Sequence, residues 1–216
     1  MSQKKVYVSF LLDRSGSMAS HKGWVIDAFN EYISGIKDDD RIVFTLTTFD
    51  SEGTDVVFDA VPVSEVPPLT DRTYQPRAAT PLYDAIGQSV GKIEKVIKKG
   101  GYGKKKQRVL FIILTDGEEN ASQEYSRRNA FDLIRQKESL GWTVTYLGAN
   151  QDAYAVGMGL GVHPGNVANY SMDNLKPVAA GMSSATLNYA RRGGAVTDSL
   201  FDDAGVDIAQ FEADEG

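Results

Sequence analysis

The sequence predicts an α/β fold: a doubly wound, mostly parallel central sheet with helices on both faces. Three observations carry the prediction. Apolar runs of strand length recur, amphipathic segments of helix length separate them, and no repeat or low-complexity block interrupts the alternation. Val6 to Leu12 is apolar except for Ser9, the pattern of a strand buried on both faces. A helix follows over Trp24 to Ile36, where Trp24, Ala28, Tyr32 and Ile36 fall at four-residue steps beside Val25, Phe29 and Ile33. Ile42 to Phe49, rich in branched and aromatic residues, is the second strand. Asp55 to Val63 is a weaker strand whose Pro62 suits an edge.

Leu82 to Ile97 repeats the helical pattern, with Pro81 at its first turn. Val109 to Leu114, VLFIIL, is the strongest strand signal. A helix from Ser126 to Leu140 stops at Gly141, and Trp142 to Leu147 supplies another strand. Asn150 to Leu160 and Asn174 to Arg191 complete the helices, the latter losing definition at Gly193 and Gly194. Residues 1–192 therefore form one domain. Residues 193–216 form an acidic tail that Leu200, Phe201, Ile208 and Phe211 could partly dock.

Composition narrows the chemistry. With 216 residues the chain can bury a full core without a metal or disulfide to hold it together. Cysteine is absent, which removes disulfides, zinc–thiolate sites, iron–sulfur clusters and thiol nucleophiles, and suits a reducing, cytoplasmic setting. Only His21 and His163 could supply imidazole, so a site must be built mainly from oxygen. No stretch approaches the roughly 20 apolar residues of a membrane span. The opening MSQKKVYVSFLLDRSGSM reaches a charged pair without a small-residue cleavage site, and reads as a buried strand rather than a signal peptide. Of the net charge of −6, seven acidic side chains lie between Asp198 and Glu215 with no basic one, leaving the remainder at +1. Lys92 to Arg108 is the counterweight, with eight basic residues against Glu94. Such a cluster most often solvates a helix end and loop, although it also suits phosphate or an acidic surface.

Sheets of this kind bind ligands beyond the carboxyl ends of their strands. The first strand runs directly into Asp13-Arg14-Ser15-Gly16-Ser17-Met18, and VLFIIL runs into Thr115-Asp116-Gly117-Glu118-Glu119-Asn120. Two carboxylates from central strands thus meet one rim, where they repel unless a cation lies between them. Hydroxyls, carboxylates and water select a hard ion: Mg²⁺, Mn²⁺ or Ca²⁺. A third contribution is expected from Thr80, read as the N-cap of the helix after Pro81.

These residues resemble a family. Asp13-Arg14-Ser15-Gly16-Ser17 matches the DxSxS motif of von Willebrand factor A domains, Thr80 in AATPLYDAI looks like their separate threonine, and Asp116 in LTDGEEN like their second aspartate. The resemblance is close from Lys4 to Gly148 and looser to about Arg192. It implies a Rossmann-like sheet with one antiparallel edge strand and a metal-ion-dependent adhesion site. In that site Ser15, Ser17 and Thr80 would touch the ion, Asp13 and Asp116 would act directly or through water, and one coordination position would stay open. The resemblance further implies Mg²⁺, with Mn²⁺ or Ca²⁺ as substitutes, and a protein partner whose Asp or Glu fills the open position. A metal-dependent adaptor or scaffold follows, not an enzyme, like lone bacterial or phage domains of this kind. The acidic tail could fill the same position in this or a neighbouring molecule, giving a homo-oligomer.

Other signals are weaker. Nucleic-acid binding through Lys92 to Arg108 is the main alternative, and a metal-assisted hydrolase using Ser15 or Ser17 with His21 and Asp116 the lesser one; neither Ser15 nor Ser17 sits in a G-x-S-x-G elbow. Gly100 to Lys106 is no phosphate loop, since Lys98 stands where the first glycine belongs and no Ser or Thr follows Lys104. Gly157 to Gly161 lacks the dinucleotide spacing. Glu118, Glu119 and Asn120 could form an outer shell or favour the start of the next helix. Arg14, Arg77, Tyr83 and Met18 are expected to border the site.

Overall fold

A computed structural model describes residues 5–100, 108–149, 153–171 and 174–207. Six strands form one sheet: β1 (Val6–Asp13), β2 (Ile42–Asp50), β3 (Gly53–Pro62), β4 (Val109–Thr115), β5 (Thr143–Ala149) and β6 (Val167–Tyr170). Their order is β3-β2-β1-β4-β5-β6, all parallel except β3, which pairs antiparallel with β2 at the edge. Every residue of β1, β2, β4 and β5 is buried, which is why these strands read as unbroken apolar runs rather than alternating ones. The edge strand β3 is half exposed, and its register slips between Phe44 and Thr47 of β2. A slip of that kind is how an edge strand twists away from further pairing.

Helices cover both faces. Helix α1 (Lys22–Ile36) and helix α5 (Leu175–Arg191) lie on one, packing Phe29, Tyr32, Val178 and Met182 against Val8, Phe10 and Leu12 of β1. On the other lie α2 (Leu82–Gly100), α3 (Arg127–Ser139) and α4 (Ala153–Gly159), with Ile86, Val90 and Ile134 against Leu11, Phe111 and Ile113. Alternate residues of each central strand thus feed two separate cores.

Four details depart from the sequence expectations. Trp24 does not join the apolar stripe of α1; it is 47% exposed and stacks on His21, ring centroids 5.8 Å apart. The apolar Phe131 of α3 and Leu140 just after that helix, which a helix over Ser126 to Leu140 would be expected to bury, are likewise exposed. Strand β6 was not foreseen. Finally, Pro81, not Thr80, closes the first turn of α2, because its carbonyl accepts the Ala85 N–H (3.0 Å). Ser126 caps α3 through a reciprocal box with Asn129, and Gly141 leaves that helix at φ 99°. Beyond α5, Leu200 and Phe201 are buried, and Leu200 N–H donates to Asn166 Oδ1 (2.8 Å). This segment sits where β5 begins, since Thr197 N–H donates to Thr143 Oγ1 (3.1 Å). Ile208 and Phe211 lie outside the described residues. None of the described helices is long and apolar enough to cross a membrane.

Candidate metal centre at the sheet rim

The strand order reverses between β1 and β4: the chain leaves β1 for β2 on one side and later returns to lay β4 on the other. A crevice opens at such a switch point, beyond the carboxyl ends of the two strands. Register brings Leu12 level with Leu114, so Asp13 and Thr115 end their strands side by side. Asp13 is fully buried. Its Oδ2 accepts the Thr115 hydroxyl (2.6 Å) and its Oδ1 accepts the Ser15 N–H (2.6 Å). Ser15 Oγ and Ser17 Oγ lie 3.0 Å apart, and Ser17 Oγ donates to Asp116 Oδ1 (2.7 Å).

The third segment arrives with Thr80, which is buried and bonded on both sides of its peptide to Asn120. Its N–H donates to Asn120 Oδ1 (2.9 Å), and its carbonyl accepts the Asn120 N–H (3.1 Å). The N-terminus of α2 has other caps: Tyr83 N–H donates to Glu119 Oε2 (3.0 Å) and Asp84 N–H to Ser122 Oγ (3.1 Å). That leaves the Thr80 hydroxyl out of the capping role expected of it. It also settles Glu119, whose carboxylate caps α2 and folds the loop after Asp116 onto itself through the N–H groups of Ala121 and Ser122, rather than serving the start of α3.

Gly117 locates the point of convergence. A Cβ built there would lie 3.1 Å from Thr80 Oγ1, 3.4 Å from Ser17 Oγ and 3.7 Å from Asp13 Oδ2. Oxygens from all three segments therefore face one spot that only a residue without a side chain leaves open. All five predicted residues, Asp13, Ser15, Ser17, Thr80 and Asp116, are brought together at this rim. Ser15 and Thr80 are buried beneath it, while Ser17 is exposed and Asp116 half-buried at its mouth. Two carboxylates and three hydroxyls, without sulfur, fit a hard divalent cation. Among the described residues no group of three or more His, Cys, Asp or Glu side chains is placed to hold a metal ion, so a metal at this rim could be held only with help from hydroxyls.

The electrostatics agree with that donor set. Burial pushes the Asp13 carboxyl up to about 6, against the hydrogen bonds from Thr115 and Ser15, and the Asp116 charge adds to the push. Burial also raises Asp116, opposed by the Ser17 hydroxyl and the nearby His21. Neither has an ion-paired Lys or Arg among the described residues. Two tyrosines that sequence reasoning missed support the loops from below. Tyr74, fully buried, donates to the Asp13 carbonyl (2.6 Å), and Tyr170 to the Thr115 carbonyl (3.3 Å). Their phenols are pushed well above the ordinary range by burial and by the two carboxylates, and so remain neutral donors.

The expected border residues divide. Met18 is buried in the core. Arg14 and Arg77 turn to Asp50 on β2, and Tyr83 lines a cleft of about 310 Å³ beside the rim with Leu82, Glu118 and Arg127. His21 makes no hydrogen bond to Ser15 or Ser17, and its Nδ1 is buried without a partner. Of the basic cluster, Lys104, Lys105 and Lys106 lie outside the described residues. Lys92 is spent on the Thr54 carbonyl, and Lys95, Lys98 and Lys99 are exposed toward the end of α2 remote from the rim.

No protein-family model and no curated protein matches this sequence. Solved structures do resemble its fold. A von Willebrand factor type A structure from Catenulispora acidiphila superposes with a TM-score of 0.59 at 15% identity, over 86% of this chain and 43% of that one. Manganese-loaded TRAP protein from Plasmodium vivax gives 0.54 at 17% identity, over 82% and 73%. Proximal thread matrix protein 1 from the mussel byssus, with a zinc-occupied MIDAS motif, gives 0.52 at 16% identity, over 81% and 46%. The chain thus spans less than half the length of the Catenulispora and mussel chains. Strand order, the single antiparallel edge strand and the likeness to these structures together give it a von Willebrand factor A-like fold.

Proposed function

We propose that the chain is a metal-dependent protein-binding module and not an enzyme. In this reading Asp13, Ser15, Ser17, Thr80 and Asp116 hold a divalent cation, Mg²⁺ or its substitutes Mn²⁺ and Ca²⁺, at the sheet rim. One observation carries it: hydroxyl and carboxylate oxygens from three segments face the spot beside Gly117, and among the described residues the two acids there have no ion-paired Lys or Arg. The metals named for the Plasmodium and mussel structures are consistent with this fold accepting divalent ions. When bound, the ion supplies a positive centre with a coordination position for an oxygen ligand of another molecule.

The chain's own residues do the rest. Thr115 and the Ser15 N–H orient the Asp13 carboxylate, and Asn120 holds the Thr80 peptide so that its side chain stays in the crevice. Ser17 and Asp116, at the mouth, are where an incoming Asp or Glu of a partner meets the site. Around them the surface offers contacts to tell partners apart: the exposed Trp24 indole on one side, the Tyr83 cleft on another, and a polar cleft of about 500 Å³ past Ser51 and Asn120. Exposed aromatic side chains of this kind often anchor interfaces.

The test is capture of partners by the immobilised chain in Mg²⁺. The reading expects binding that disappears with EDTA and in Asp116→Ala, and that persists at moderate salt. Binding that survives EDTA but falls steeply with salt would instead favour nucleic acid on the lysine cluster.

A further inference from the structure

We propose that Asp50 is a positioning residue for the rim: it ties the two hydroxyl-bearing loops together and keeps their arginines off the metal carboxylates. Asp50 closes β2, and its side chain is fully buried. Its Oδ2 accepts Arg14 Nε (2.8 Å) and Arg77 Nε (2.9 Å), while Oδ1 accepts the Glu52 N–H (2.7 Å). Arg14 stands between Asp13 and Ser15, and Arg77 three residues before Thr80. A single carboxylate therefore grips both loops.

The backbone shows how closely the loops depend on that grip. Arg14 N–H donates to the Phe49 carbonyl (2.9 Å), Arg77 N–H to the Arg14 carbonyl (2.8 Å), Gly16 N–H to the Ala78 carbonyl (2.9 Å) and Ser51 N–H to the Ala79 carbonyl (3.0 Å). Ala78 is held at φ 59°, a left-handed conformation that a residue with a side chain rarely adopts. Gly16 faces it so closely that a Cβ would sit 3.1 Å from the Ala78 oxygen. A strained turn against a glycine persists only where its surroundings over-determine it, and the Asp50 ion pairs lie beside it.

The second part of the role is electrostatic. Arg14 and Arg77 are the arginines nearest along the chain to the rim's Ser15 and Thr80, and Asp13 and Asp116 have no ion-paired Lys or Arg among the described residues. Asp50 holds one guanidinium nitrogen of each. Asp55 takes Arg14 Nη2 (2.8 Å) and Glu52 takes Arg77 Nη1 (3.1 Å). With both guanidiniums occupied on the β2 side, the rim carboxylates stay available for a metal.

The inference rests on the metal reading above, so its test carries a metal-free arm. Mn²⁺ affinity is measured by electron paramagnetic resonance on EDTA-stripped wild type, Asp50→Asn, Arg77→Ala and Asp39→Asn, the last breaking an ion pair at the other end of the sheet. Hydrogen exchange at the Gly16 and Arg77 amides is followed without metal. Loss of a supporting partner of this kind typically weakens a metal about 10- to 100-fold. The expected result is a loss of that order in Asp50→Asn, a smaller one in Arg77→Ala and none in Asp39→Asn, with faster exchange at Gly16 and Arg77 but unchanged protection in β4 and β5. Asp50→Asn with wild-type affinity, or with wild-type exchange at those amides, would overturn the inference. If Asp50→Asn does not fold, Arg77→Ala, whose side chain is half exposed, decides by the same criteria. A wild type that takes up no Mn²⁺ would remove the metal reading, and exchange alone would then decide whether Asp50 pins the loops.

Discussion

The two ends of the sheet both gather acidic side chains, and they resolve the charge in opposite ways. At the end remote from the rim, Asp38, Asp39 and Asp40 border an open cleft of about 750 Å³ between the turn after α1 and the end of α5. There Asp39 accepts Arg41 Nε (2.8 Å) and the Arg41 N–H (3.0 Å), and Arg191 lends its charge. The Arg41 hydrogen bond holds the Asp39 carboxyl below its ordinary range. At the rim, Asp13 and Asp116 are pushed the other way, because burial takes water from them and only hydroxyls, an N–H and the nearby His21 imidazole offset it. One end has compensated its anions with guanidiniums; the other gathers two acids that have no ion-paired Lys or Arg among the described residues. Acid count alone does not tell the two ends apart; what sets the rim apart is carboxylates held by hydrogen bonds and, among the described residues, without a Lys or Arg partner.

Breaking the rim should have the largest effect. Asp13→Ala removes the buried carboxylate that orients the first loop, and Mn²⁺ affinity measured calorimetrically should fall at least about 100-fold, whereas Asp39→Ala should leave it unchanged. Next in size is Gly117→Ala. Its methyl would enter the space shared by Thr80, Ser17 and Asp13, so affinity should drop about tenfold or more, roughly 1.4 kcal/mol of binding energy, with little change in the thermal midpoint of the metal-free protein. Thr80→Val, nearly the same shape without the hydroxyl, should cost about tenfold by the same titration, and Thr80→Ser should recover most of it.

The smallest effect sharpens the other side of the contrast. Asp39 has a lowered carboxyl pKa in the folded protein, so the folded state binds its proton less readily than the unfolded chain does. Its stabilisation is therefore fully present above the ordinary carboxylate range and is lost as pH falls through and below it. Denaturant titrations should show Asp39→Asn with a slightly shallower acid limb than the wild type, with metal present or absent.

How much of this was legible beforehand follows from burial. Strands β1 and β4 are covered on both faces, so they read as uninterrupted apolar runs, and a residue that ends such a run must emerge at the rim. That is why Asp13 and Asp116 stood out. Strand β6 was hidden because it has four residues, one of them Asn169, and follows a His-Pro-Gly turn. Trp24 was misjudged because helical periodicity counts every apolar residue near the stripe, and only the position of the partner helix decides where the stripe ends. Tyr74 and Asp50 look like ordinary loop and turn residues in sequence. Their roles come from contacts 61 and 36 positions away along the chain, which no local pattern records.

The most direct measurement is a calorimetric titration of MgCl₂ and MnCl₂ into the EDTA-stripped chain and its Asp13→Ala variant. One saturable divalent site per chain in the wild type, absent from the variant, is the predicted result. No binding of either ion, or binding that Asp13→Ala leaves intact, would contradict the assignment of the rim as a cation cradle.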